Sequence, residues 1–491
     1  MTSYRPRLRD HLTLDDGKLA DGLLQREMGL EPTAAAVAAR LDGTTAWDDI
    51  RAALVADGHE ADDIDAALRS FLRLFLVEGA GDDDVARLVR MIKSDEAVST
   101  TILAGARFGC QGSGGCCQGY SFGPLATEDI ATLDGLDLAA AFPHVAAPYV
   151  EDRDSGVYLR AVDGRCVFLA GDRRCGLHAA FGADAKPGFC RLYPLESFAT
   201  VHGVRVVDRG TCSTFGTSAR TGLPMVDDMD RLRPLLGAHV LHHPVVLVDG
   251  EGWDHGLYLR FTAAADELIR NRRGTAPEAL HALGRCLDAL ATVVGHCPLE
   301  PGQPDGLVDS VLATDEAAWF RAPRAEATDA SVATVVTMLD RLAAVVLQTV
   351  IEGRARATTP RCREFVALVT SAAAALTAGP PAPVRCTPDA DEALRISMQQ
   401  QLFGRRALIE GHAGTGLVRI GLIQLLALTG ARADAGDRPI TAADLSRGHM
   451  LAVRLLETGI LDGVLVAHEP SWRLVLDGLF HVTGMTVVAP T

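Results

Sequence analysis

The sequence predicts an α+β fold that is mainly α, and three observations predict it. The chain beyond about residue 225 reads as helical, most clearly where Val332, Val335, Val336, Leu339, Leu342, Val346 and Val350 mark one apolar stripe. Seven glycines between Gly105 and Gly123 exclude a regular helix there and predict loops. Short apolar runs at Gly156–Val162, Cys166–Leu169 and Val204–Val207 then read as strands.

At 491 residues the chain is too long for one core and divides into roughly two to four domains. Hydrophobic residues make up 48% and charged residues 22%, a globular composition. The net charge of −16 excludes the concentrated basic surface that a nucleic-acid partner requires. The polar opening Met1–Asp10 carries no signal-peptide pattern. The apolar run Gly416–Ala431, interrupted by Arg419, reads as too short to span a bilayer. A cytoplasmic protein with no membrane partner is therefore expected, and in a reducing cytosol its eleven cysteines suit metal ligation better than disulfides.

Residues 1–82 read as a small winged-helix-like module. Pro32 starts an Ala-rich helix that ends at Leu41, and Asp42-Gly43 makes a turn. Thr45 and Asp48 pair as a capping box for a second helix. Ile64, Leu68, Phe71 and Leu72 form the apolar face of a third, and Phe75–Glu78 reads as a short strand. Residues 95–222 form a loop-rich cysteine-cluster metal domain, 223–380 a helical domain and 384–491 a C-terminal helical region. The linker Gly379-Pro380-Pro381-Ala382-Pro383 separates the last two. Thr441 and Asp444 cap a late helix running to Val466, and His242-His243 with Val245–Val248 reads as a buried strand ending in a hairpin.

The chemistry concentrates in Cys110, Cys116, Cys117, Cys166, Cys175, Cys190 and Cys212. Soft thiolates hold zinc or iron–sulfur iron most strongly, and the glycine-rich backbone lets several sulfurs converge. Cys175-Gly-Leu-His178 adds a candidate imidazole ligand. Cys286, Cys297, Cys362 and Cys386 lie scattered and read as ordinary thiols. Spacing leaves the metal open, with an iron–sulfur cluster, zinc or mononuclear iron as alternatives. Beside the cysteines, Tyr193, Glu196, Tyr120 and Asp208 are candidate proton-handling groups, and Arg191 is a candidate partner for a carboxylate of cofactor or substrate.

These residues carry a resemblance. Cys110–Cys117, Cys166-Val-Phe-Leu169, Cys175-Gly-Leu-His178 and Cys190-Arg191-Leu-Tyr193-Pro194 resemble the YkgJ-type CxxCxxCC cysteine-cluster proteins, with Ser113 standing where the second cysteine of that signature falls. Within that group the chain looks most like the FliB-type flagellin lysine N-methylases, through Leu394–Phe403 and Leu417–Leu428. The segments Leu30–Ala34, Leu41–Thr44, Trp47–Ile50 and Leu72–Glu78 resemble PqqD-like peptide-recognition domains. The resemblance implies a 4Fe–4S cluster, for which the seven candidate cysteines exceed the four ligands needed, and S-adenosylmethionine as cofactor. It also implies N-methylation of a lysine or another side-chain nitrogen on a ribosomally made peptide whose leader binds as an added strand. In that implied enzyme Tyr193 and Glu196 are the candidate catalytic residues, and Arg191 and Tyr120 the candidate cofactor contacts. The alternatives are a non-catalytic zinc- or iron-binding recruitment protein and a cluster-dependent redox enzyme acting on a peptide.

Overall fold

The structure, a computed structural model, describes all residues except 1–3, 23–25, 80–81, 94–98, 201–202, 237–244, 247–251, 254, 272, 296–309, 315–318, 321–328, 353–358, 379–382, 405–412, 457–459, 469–470 and 489–491. It is α+β and mainly α, 59% helical with 14% strand in small sheets.

The N-terminal module pairs a three-stranded antiparallel meander with three helices. Strands Leu12–Asp15, Lys18–Asp21 and Arg26–Gly29 lie in sequence order. The first hairpin turns at Asp16 and Gly17, both at positive φ, the geometry that suits a two-residue hairpin. Helices Pro32–Ala38, Trp47–Ala56 and Ala61–Arg73 bury Val37, Ile50, Leu54, Ile64, Leu68 and Phe71 against Leu19. The expected Thr45/Asp48 capping box does not form. Asp42 Oδ1 instead accepts from the Thr44 and Thr45 amides, at 2.7 and 3.0 Å, and the second helix starts without a side-chain cap. Phe75–Glu78 is no strand either; Val77 makes one isolated antiparallel bridge to Leu8, flanked by the hydrogen bonds Arg9 N–H to Leu76 and Glu78 N–H to Arg7.

The helical part shares one core. Tyr258, Leu287, Met338, Leu339, Phe365, Met398, Leu426, Val453 and Trp472 belong to a single apolar cluster, so residues 223–380 and 384–491 do not form separate cores. A parallel pair, Val384–Cys386 with Met485–Val487, closes the last region on itself. The proposed linker lies outside the described residues except for Pro383, as do His242 and His243; Val245–Val246 does pair in a hairpin with Gly252–Trp253. Thr441 and Asp444 cap helix Ala442–Leu456 through Asp444 Oδ2, 2.8 Å from the Thr441 amide.

The run around Arg419 is longer than its apolar stretch suggested: helix Ala413–Ala435 has 23 residues, enough by length and composition to cross a membrane, and so has Asp329–Ile351. The first is a core helix, with 89% of its most apolar window buried. The second sinks its predicted stripe, with Val335, Leu339, Leu342 and Val346 fully inward.

The cysteine region rests on this core through helix Pro388–Phe403. Gln400 Oε1 accepts from the Asp208 amide at 3.1 Å, and Arg205 donates to the Phe403 carbonyl at 2.9 Å. Beside it, His449 is buried between Ser397 Oγ at 2.6 Å and the Gly210 carbonyl at 3.2 Å, its ring stacked on Phe215. Burial pushes its pKa down to about 4, against the opposing hydrogen bond to Gly210. The unfolded chain takes up that proton near pH 6.5. Stability is therefore full above about pH 6.5 and falls as pH drops toward 4, by about 3 kcal/mol for this one group. Denaturant midpoints at about pH 7 and about pH 4.5 test this; His449→Gln is expected to flatten the difference.

Candidate metal centre

The seven cysteines arrive on six separate pieces of backbone, Cys212 on the last of them. Cys110 follows the short strand Arg107–Phe108. Cys116 and Cys117 occupy a single helical turn, Gly115–Cys117, entered through Gly114 at φ 65°. A side chain on Gly114 would meet the Arg173 carbonyl at 2.5 Å, so the tight approach requires glycine. Cys166 ends strand Arg165–Cys166, which pairs with Ala161–Val162; the expected strand Cys166–Leu169 stops there, and Leu169 turns to bridge Cys175. Cys175 precedes helix Gly176–Phe181, and Cys190 lies in helix Gly188–Leu192. That last helix is held by Asp129, whose Oδ1 accepts from the Gly188 amide at 2.9 Å.

Six of the seven, all but Cys212, line one cavity of about 920 Å³, toward the upper end for small-molecule sites. The thiols ring this space without closing on it. Among the described residues no three His, Cys, Asp or Glu side chains stand together closely enough to hold a metal ion as they are. Cys116 and Cys117 form a close pair, with Sγ atoms 3.7 Å apart. A tetrahedral thiolate site with metal–sulfur bonds of about 2.3 Å has edges of about 3.8 Å, so this pair fits two ligands of one centre.

The electrostatics separate these thiols. Cys175 is pulled down to about 6 by its hydrogen bond with Cys117, then by the amides of His178 and Leu177 and by Lys186. Cys116 falls to about 7, chiefly through Cys117 and also Lys186. Cys117, hydrogen-bonded to both, is pushed up. Burial raises Cys166 to about 12 and also raises Cys190 and Cys212. Two ready thiolates beside less acidic thiols suit a centre that displaces protons as it binds.

The wall also holds Tyr120, Tyr193, Glu196, His178, Lys186, Arg209 and Arg419. Glu196 sits on strand Leu195–Thr200, 3.3 Å from Arg209. Tyr193 is not free to act as a base. Its hydroxyl donates to the Thr211 carbonyl at 2.5 Å and accepts from Arg454 at 2.7 Å, and burial raises its pKa. The Tyr120 ring lies against Arg454 and Arg361, their Cζ atoms 4.3 and 5.1 Å from its centroid. Three expectations fail on position. Arg191 does not line the cavity; its Nε is buried without a hydrogen-bond partner. Asp208 is buried outside the cavity, and its carboxylate accepts from the Gly210 amide at 2.8 Å. Cys212 does not line the cavity either; its Sγ lies 3.1 Å from Thr214 Oγ1.

Ser113, in place of the signature's second cysteine, accepts a hydrogen bond from Ser213 at 2.8 Å and so ties the glycine loop to the residue after Cys212. Cys286, Cys362 and Cys386 are buried in the helical part, and Cys297 lies outside the described residues.

Arg361 and Arg454 are the residues that sequence reasoning missed. Arg361 donates to the Gly119 carbonyl at 3.2 Å and to that of Gln118, and Arg454 reaches the Gly115 carbonyl at 3.3 Å. Burial, and then Arg454 beside it, lower the Arg361 pKa to about 10. They stand far from the cysteines in sequence, on helices Thr359–Thr377 and Ala442–Leu456, where an arginine carries no pattern.

Comparison of the chain with protein-family models, with curated proteins and with solved structures found no match to any of them.

Proposed function

We propose that the protein is a cytoplasmic, iron–sulfur-cluster-containing enzyme that modifies a ribosomally made peptide by S-adenosylmethionine-dependent N-methylation of a lysine. The observation that carries this reading is the convergence of Cys110, Cys116, Cys117, Cys166, Cys175 and Cys190 on one cavity. Four thiolates suffice for a 4Fe–4S cluster. Cys116, Cys117 and Cys175, with Cys166 or Cys190, are the ligands that burial and mutual contact favour. The cluster, when bound, supplies Lewis-acidic iron and a fixed charge at the cavity wall.

In the transfer, the amine nitrogen bonds to the sulfonium methyl carbon as the carbon–sulfur bond breaks, its electron pair staying on sulfur. The nitrogen must first lose a proton. Phe122, Leu159, Phe168 and Phe198 line an apolar wall that disfavours an ammonium, and Lys186 and Arg419 disfavour it further as like charges. Glu196 is the one carboxylate among the described lining residues, and in this reading it takes the proton. Glu196→Gln is therefore expected to lower kcat by about 10²–10⁴-fold with metal content unchanged.

At the N-terminus, strand Arg26–Gly29 is an outer strand of its sheet, which suits addition of a leader peptide as a further strand. Mass spectrometry of lysine peptides incubated with the metal-loaded protein and S-adenosylmethionine tests the reaction. A gain of one methyl group is expected, and no gain with any peptide would contradict it.

The 3.7 Å Cys116–Cys117 pair favours one second reading, a zinc-binding recruitment protein. Redox-inert zinc with every ligand position filled by the chain would mark it.

A further inference from the structure

Arg361 and Arg454 come from the helical part, yet both reach the turn that carries Cys116 and Cys117. The Gly115 carbonyl accepts from Arg454 at 3.3 Å and from Arg361 at 3.4 Å, and Arg361 also takes the Gln118 and Gly119 carbonyls. Arg454 further donates through Nε to the Thr211 carbonyl at 3.1 Å and through Nη2 to the Tyr193 hydroxyl at 2.7 Å. Arg454 is 6% exposed, and its Nη1 is buried without a hydrogen-bond partner. Among the described residues, neither arginine makes an ion pair with a carboxylate, although Glu364 attracts Arg361 from a distance.

Two guanidiniums against one tyrosine ring repel each other, and burying such charge is costly unless an anion compensates it. Carbonyl dipoles compensate only partly. The anions the turn can offer are its own thiolates, and a thiolate-bound centre gathers several of them at once.

We propose that Arg454 and Arg361 form a cationic brace that supplies the counter-charge for the thiolate centre and makes metal retention depend on the packing of the helical part. This rests on the metal-binding half of the proposed function, not on methyl transfer. It requires that charge, and not merely shape, matter at these positions. A cation at the edge of a thiolate centre strengthens binding and favours the more negative, reduced form of a redox-active one.

The test compares the full-length wild type with Arg361→Gln, Arg361→Lys and Arg454→Gln, each loaded without oxygen. Metal retention against a chelator is read in all four, and the midpoint potential where iron and sulfide are present. Outer partners of a metal site typically contribute about 10–100-fold in affinity. Both glutamine variants are expected to lose metal by about that factor while Arg361→Lys stays near wild type. With a cluster present, the glutamine variants should show about a tenfold fall in the reduced-to-oxidised ratio at fixed potential, a shift of about 59 mV for one electron.

Glutamine variants that match the wild type in retention, or an Arg361→Lys variant that falls with Arg361→Gln, would overturn the brace while leaving the metal reading intact. A zinc-loaded wild type decides the question by retention alone. A wild type that takes up no metal would overturn the metal reading first and the brace with it.

Discussion

Cys117→Ser is expected to cost the protein its metal. The Cys117 thiol is 3.7 Å from Cys116 and hydrogen-bonded to Cys175, so it joins the two thiols of lowest pKa. A serine hydroxyl stays protonated at neutral pH and is a hard ligand, poorly matched to zinc or iron–sulfur iron. Losing a direct ligand should exceed the roughly 10–100-fold cost of losing an outer partner, and metal content after gel filtration should fall to background. Cys212→Ser is the control: absent from the cavity lining and hydrogen-bonded to Thr214, it should retain metal within a few-fold of wild type. Equal losses in the two variants would place Cys212 among the ligands after all.

Phe215→Ala is expected to destabilise the protein by about 3–5 kcal/mol, the usual cost of truncating a fully buried phenylalanine. Phe215 is 2% exposed and stacks on His449 with ring centroids 4.6 Å apart. It opens helix Phe215–Thr221, and the next amide, Gly216, donates to Ser446 Oγ at 3.2 Å. A side chain on Gly216 would meet the Ala442 carbonyl at 2.2 Å, so this helix and Ala442–Leu456 are in backbone contact. The truncation therefore opens a void at the joint between the cysteine region and the helical core. Urea titration of the loaded protein measures the effect. A change under about 1 kcal/mol would mean that the joint relaxes to refill the space.

Much of the fold was legible in the sequence because it rests on periodicity. The stripe from Val332 to Val350 and the face from Ile64 to Leu72 needed only their spacing, and both turned inward as read. Features set by long-range contact were not legible. Thr45 and Asp48 satisfied a local capping pattern, but Asp42 takes the Thr45 amide, with that of Thr44. The break near Pro380 looked like a domain boundary, yet the apolar faces on either side pack into one core.

The candidate site divides the same way. Thiol chemistry and glycine spacing pointed to the cavity's six cysteines and also swept in Cys212, which sequence alone could not place outside the lining. Arg191 follows Cys190 directly and Tyr193 stands three residues beyond it. Adjacency says nothing of direction, and the structure gives the Tyr193 hydroxyl to Arg454 and turns Arg191 from the cavity. Arg361 and Arg454 left no local trace, since the carbonyls, hydroxyl and ring they meet lie more than two hundred residues away.

Metal and acid-labile sulfide analysis of the protein purified without oxygen tests the central claim most directly. The account predicts about four iron and about four sulfide per chain, with the visible absorption of a cluster that Cys117→Ser abolishes. Zinc without sulfide, or no bound metal at all, would contradict it.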